Sequence, residues 1–188
     1  MSPLQIIAAL VEVTEASTAH WDDHLAGMAN HVAEVVYAVG GGLAADAAKY
    51  IAFKLDLPLV VVPTALSVDA FFTAASGIRR GGCIHYIETK SPERLIVDFD
   101  IITAAPASIR AAGITDVLSI ATGSWDWKYA HEHGKNPPSM EFIPWVYDIA
   151  QHILIGALDC AEAAVAAREM GSRRCWTVYV WKYSYAIR

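Results

Sequence analysis

The chain is poor in cysteine, in unbroken apolar sequence and in clustered positive charge, and each shortage excludes a class of function. Its three cysteines, Cys83, Cys160 and Cys175, lie far apart with no Cys-x-x-Cys pair. Reduced thiols in a cytoplasmic protein are therefore expected, not a zinc knuckle or a disulfide framework. No apolar run approaches the ~18 residues of a membrane-spanning helix. The amino terminus, Met1-Ser-Pro-Leu-Gln5, has neither the basic start nor the cleavage site of a secretory leader. Lysine and arginine total 14 against 20 aspartates and glutamates, a net charge of −6, with no basic stripe. That balance argues against nucleic acid as a partner. Internal repeats and low-complexity tracts are also missing.

What is present suits a buried core. The 188 residues are 55% hydrophobic and 18% charged, enough for one large domain or two small ones. The chain is organised around residues 35–69. Val35, Val36 and Val39 suggest a strand covered on both faces, followed by Gly40, Gly41 and Gly42 and an alanine-rich helix from Leu43 to Leu55. Glycines at a strand-to-helix turn let a ligand approach the backbone, and the helix start favours an anion, most often phosphate. Asp46 is placed in the first turn of that helix, where a carboxylate suits the dipole. Lys49 either pairs with Asp46 or reaches into the cleft. A second apolar strand, Leu59 to Val62, ends in Pro63-Thr64, with Ser67 and Asp69 just beyond. Polar residues there, beside a glycine turn, describe a nucleotide cleft in an open α/β sheet. The contiguous glycines match neither the G-x-G-x-x-G fingerprint nor a Walker loop.

Elsewhere the reading is plainer. Residues 4–15 fit either a helix or a strand. His20 and His24 share a helix face and form a candidate metal pair, although a solvated surface is the stronger expectation. Arg80-Gly81-Gly82 marks a β-hairpin, with His85 in one of its strands. Leu95–Phe99 reads as another buried strand. From Ile101 the pattern turns helical. Pro106 opens a helix, Asp116 reads as a helix-start charge, Asp126 and Lys128 read as surface charges, and 141–150 and 154–170 form two further helices. His131 and His133 are two apart and would diverge on a helix.

Gly40-Gly-Gly-x-x-x-Asp46-x-x-Lys49, Pro63-Thr64-x-x-Ser67-x-Asp69, Gly113-x-x-Asp116-x-x-Ser119 and Asp126-Trp-Lys128 occur in that order. This set resembles the iron-containing alcohol dehydrogenase and dehydroquinate synthase-like superfamily, and within it the sn-glycerol-1-phosphate dehydrogenases. The resemblance implies an α/β fold: a Rossmann-like nucleotide-binding part, residues 1–102, then a mostly helical metal and substrate part, residues 103–188. It implies NAD or NADP and a zinc or other divalent ion, acting on a small phosphorylated polyol or ketone in phospholipid biosynthesis. Gly40, Gly41 and Gly42 would form the cofactor loop, with Asp46, Thr64 and Ser67 on the cofactor side. Asp69 would serve at the catalytic centre and Asp116 would be the first metal ligand. The family's further metal ligands are two later histidines, and no histidine follows His152. The helical part is therefore expected to be incomplete, and the chain a fragment, a truncated reading frame or a diverged member whose activity the sequence leaves open. A non-catalytic dinucleotide-binding or assembly module is the main alternative. Glycerol dehydrogenase and a 3-dehydroquinate synthase-like lyase follow. The apolar tail 175–188 would be covered by another chain, a homo-oligomer included.

Overall fold

The computed structural model describes residues 9–28, 30 and 32–166. The tail 175–188 and residues 4–8 lie outside them, and residues 9–15 form no regular element. Helix α1 (Thr18–Gly27) opens at Ser17, whose hydroxyl accepts from the His20 N–H, and ends on Gly27. Strands β1 (Val36–Gly40) and β2 (Leu59–Pro63) flank helix α2 (Gly42–Leu55) and pair in parallel. The two residues of β5 (Arg94–Leu95) pair parallel to β2, giving the sheet order β1-β2-β5. Between them β3 (Ala75–Arg80) and β4 (Cys83–Glu88) form an antiparallel hairpin. Its turn residues Gly81 and Gly82 both have positive φ, 59° and 79°, as a two-residue hairpin turn requires.

Helices follow. Short α3 (Phe99–Ala104) leads to α4 (Ala107–Glu132), and a 3-10 turn (Pro138–Met140) precedes α5 (Pro144–Val165). The alanines of α2 pack on the sheet: Ala45, Ala48 and Ala52 form a core with Ala38, Leu59, Val61 and Phe71. Helix α1 backs α2 through Trp21, which packs with Tyr50. The Tyr50 hydroxyl donates to Asp22 at 2.8 Å. Burial foremost, then that carboxylate, pushes the phenol up to about 12. The α4–α5 pair has its own core of Val117, Ile153 and Ala157, against which Phe72 packs. Phe72 also touches the α2–sheet core, so it joins the two parts.

Several expectations give way here. Strand β1 is covered on one face only: Ala38 is buried, whereas Tyr37 and Val39 are 59% and 63% exposed. The strand expected at 95–99 stops at Leu95, because Asp98 accepts from the N–H groups of Asp100 and Ile101 and starts α3. The two helices expected between residues 141 and 170 are one, α5, since nothing around Gln151-His152 breaks the helix. Asp116 does not start a helix but sits inside α4, because α4 runs through Gly113. Asp46 lies in the second turn of α2, because Gly42 already belongs to the helix. Cys83 is a free, exposed thiol, Cys160 is buried, and Cys175 lies outside the described residues.

Candidate cofactor-binding site

Parallel pairing puts Gly40 opposite Pro63, so the segments leaving β1 and β2 are neighbours at the carboxyl edge of the sheet. The Thr64 N–H donates to the Gly40 carbonyl at 3.1 Å. Val68 lies over the start of α2, where a Cβ on Gly42 would come 2.7 Å from its Cγ2. Gly40 has φ +148°, and a Cβ there would meet the Ala44 Cβ at 2.9 Å. Gly40 is thus required by backbone and packing, and Gly42 by packing. Gly41 is different: a Cβ built on it meets nothing within 4 Å. Its φ of −88° and ψ of −163° are open to any residue.

No side chain caps α2 at Gly41. The first N–H to return into the helix is that of Ala45, which donates to the Gly41 carbonyl at 3.1 Å. The N–H groups of Gly42, Leu43 and Ala44 therefore have no intrahelical carbonyl to bond. With the positive end of the helix dipole and open space before Gly41, this start is a cradle for an anion.

Beneath the cradle a buried polar network ties α2 to the hairpin. Lys49 is fully buried and lies 2.9 Å from Asp46 Oδ1. It also donates to Thr73 Oγ1 at 3.2 Å and to the Ala75 carbonyl. Of the two roles open to Lys49, pairing with Asp46 is the one observed. Ser76 Oγ donates to the Asp46 carbonyl at 2.8 Å and shares a 3.0 Å hydrogen bond with Thr89. Burial holds the Asp46 carboxyl above the usual carboxylate range, against the pull of Lys49 and of the Gly77 N–H. The negative charge of Asp69 pushes it further the same way, so Asp69 stands near this network. Ser67 is half-buried on the loop between Thr64 and Asp69. Sequence reasoning missed Val68 and Gly77, both fixed by contacts across the fold that leave no local mark.

Asp116 is half-buried on α4, one residue before Val117 of the α4–α5 core. Ser119 Oγ donates to the Asp116 main-chain carbonyl at 2.6 Å. Among the described residues no group of three His, Cys, Asp or Glu side chains converges to hold an ion. A catalytic divalent ion typically takes three protein ligands, so those residues alone do not make its site. The histidines of the helical part are engaged locally. His131 stacks on Phe142, His133 contacts the Tyr129 carbonyl at 2.7 Å, and His152 contacts the Asp148 carbonyl at 2.8 Å. In the Asp126-Trp-Lys128 segment, Trp127 Nε1 donates to the Met140 carbonyl at 2.9 Å. Lys128 Nζ lies 5.1 Å from the Tyr147 ring centroid.

A family model described as iron-containing alcohol dehydrogenase matches residues 4–106, which include the whole glycine turn and the loop after β2. The chain belongs to the iron-containing alcohol dehydrogenase family. It is 36% identical over 140 residues to a glycerol-1-phosphate dehydrogenase [NAD(P)+] of Bacillus subtilis, covering 74% of this chain and 34% of that protein. It is 38% identical over 120 residues to the enzyme of the same name in Methanothermobacter thermautotrophicus, covering 64% and 33%. The chain thus spans about a third of the length of these curated relatives. In fold it is similar to a probable glycerol dehydrogenase of Sinorhizobium meliloti, with a TM-score of 0.72 at 22% identity over 89% of this chain and 49% of that one. A sulfoacetaldehyde reductase of Bifidobacterium kashiwanohense, solved with NAD+, gives 0.65 at 20% identity over 88% and 47%. These solved structures support an α/β fold with a parallel sheet and a helical part. No helix among the described residues is long and apolar enough to cross a membrane.

Proposed function

We propose that this chain provides the dinucleotide-binding part, residues 1–102, and the beginning of the helical part, from 103, of an NAD(P)-dependent dehydrogenase. Its reaction is the interconversion of dihydroxyacetone phosphate and sn-glycerol 1-phosphate. One observation carries the reading: the uncapped start of α2 with open space in front of Gly41. Gly40, Gly41 and Gly42 hold the pyrophosphate of the cofactor on backbone N–H groups. Thr64 and Ser67 line the neighbouring loop, and Asp69 lies on the side where nicotinamide and substrate meet. Asp46 acts from below, keeping α2 in register with the hairpin through Lys49. When bound, the dinucleotide supplies the hydride, and the protein supplies orientation and charge. The substrate class is supported by the names of the relatives and by the motif order, including Asp116 and the Asp126-Trp-Lys128 segment. No step is assigned to a metal ion, because the described residues do not complete a site for one.

Calorimetric titration of NADH and NADPH into the purified chain tests the reading. Saturable binding by one or both supports it, and no binding to a folded chain overturns it. Among the described residues no three metal ligands converge, and the second reading is a dinucleotide-binding module without catalysis. Turnover of dihydroxyacetone phosphate with NADH or NADPH and added zinc would sink that second reading.

A further inference from the structure

A different pair of side chains, on α1 and outside the cofactor cradle, has ligand geometry of its own. His20 and His24 are four residues apart on one helix face, and their Nε2 atoms lie 3.1 Å from each other. The rings meet edge to face, with centroids 4.5 Å apart and planes at 75°. His20 Nε2 also faces the Thr14 N–H at 3.5 Å and the Thr14 hydroxyl at 3.4 Å. Two imidazole nitrogens at 2.0–2.1 Å from one ion stand about 2.9 Å apart at right angles and about 3.3 Å apart at the tetrahedral angle. The observed separation falls between these values.

We infer that His20 and His24 form a chelating site for a first-row divalent ion of the imidazole-preferring class, such as Ni(II), Cu(II) or Zn(II). Two cis imidazoles come from the protein and the remaining positions from water. The site is distinct from any centre built on Asp116 and does not depend on the dehydrogenase reading. Its consequence is mechanical. Residues beside α1 grip the rest of the fold: the Arg79 N–H donates to the Ala16 carbonyl at 2.7 Å, and Trp21 packs with Tyr50 of α2. An ion bridging the first and second turns of this ten-residue helix stabilises the layer that backs α2.

Ni(II) titrated into the full chain, followed by calorimetry and thermal unfolding, tests this. The expected result is one saturable site and a Tm that rises with Ni(II) concentration. H20A and H24A should each lose both effects, while D116N and H152A keep them. H24Q serves as a second variant that keeps a polar side chain at this position while removing the imidazole, and far-UV circular dichroism checks that each variant is folded. The inference is overturned if the wild-type chain shows no saturable binding. It is equally overturned if folded H20A and H24A variants bind as the wild type does.

Discussion

Gly41 separates what the fold requires from what a ligand requires. Its neighbours are constrained from within, Gly40 by its positive φ and Gly42 by Val68. Alanine at Gly41 has room and an ordinary backbone, so Gly41→Ala should unfold at the wild-type temperature. Under the proposed function its methyl group would occupy the space the pyrophosphate enters. NADH affinity measured by calorimetry should then fall by at least about tenfold, about 1.4 kcal/mol. Gly42→Ala should show the reverse pattern, with a loss of stability of about 1–3 kcal/mol from overpacking against Val68. Lys49 is the other residue whose meaning lies in its surroundings. Lys49→Met leaves the Asp46 carboxylate and the Ala75 carbonyl without their cation, and urea unfolding should show a loss of about 3 kcal/mol. Replacing both partners in Lys49→Met/Asp46→Leu should recover much of it, since a buried ion pair and an apolar pair of similar size differ little.

At the scale of elements, two termini carry their own tests. Helix α2 ends with Asp56 in the left-handed region at φ 52°, and the Leu57 N–H returns to the Ala52 carbonyl at 3.0 Å. Glycine is the ordinary residue for that position, and a carboxylate opposes the dipole at a helix carboxyl end. Asp56→Gly should therefore raise stability by about 0.5–1 kcal/mol in thermal unfolding. Strand β2 begins where Leu59 N–H donates to Glu93 Oε2 at 2.6 Å, while Glu93 Oε1 meets Lys90 at 2.7 Å. The Lys90 hydrogen bond foremost, with the Leu59 N–H, holds the Glu93 carboxyl below its ordinary value of 4.5. Below that ordinary value the unfolded chain binds the proton first, so this stabilisation is present above it and is lost as pH falls through the lowered pKa. Glu93→Gln should flatten that part of the stability–pH curve, as acid titration followed by circular dichroism would show. Elements with local signals were legible in sequence: the glycine turn, the alanine face of α2, and the Gly81-Gly82 hairpin. Features set by distant partners were not. Leu95–Phe99 is apolar enough for a strand, yet Asp98 satisfies the next N–H groups and turns the chain into α3. Asp116 reads as a helix-start charge, yet α4 runs on through Gly113, which is buried within the helix. The cradle could be read from three glycines, but its lid on Gly42 by Val68 and its footing on Gly77 depend on the loop after β2 and on the hairpin returning to α2.

On the scale of the whole molecule, the α2–sheet layer and the α4–α5 pair have separate cores, and Phe72 packs against both. The polar network around Lys49 ties α2 to the hairpin. Arg110 instead gathers the helical part: its guanidinium donates to the Val165 carbonyl at 2.8 and 3.1 Å and to the Thr103 carbonyl at 3.0 Å. Each part thus has internal polar ties, and the apolar contact at Phe72 couples them. Truncating this half-buried ring should cost about 2–3 kcal/mol, below the range for a fully enclosed phenylalanine. The cost should fall on the coupling rather than on either core. Phe72→Ala is therefore expected to convert a single thermal transition into two, with the helical pair melting first. Tryptophan fluorescence of a chain with Trp176 and Trp181 replaced by Phe separates them, because Trp125, Trp127 and Trp145 all lie on α4 or α5 while Trp21 is on α1. If the Phe72→Ala chain still melts in one step, with fluorescence and far-UV circular dichroism coincident, other contacts bind the two parts into one cooperative unit.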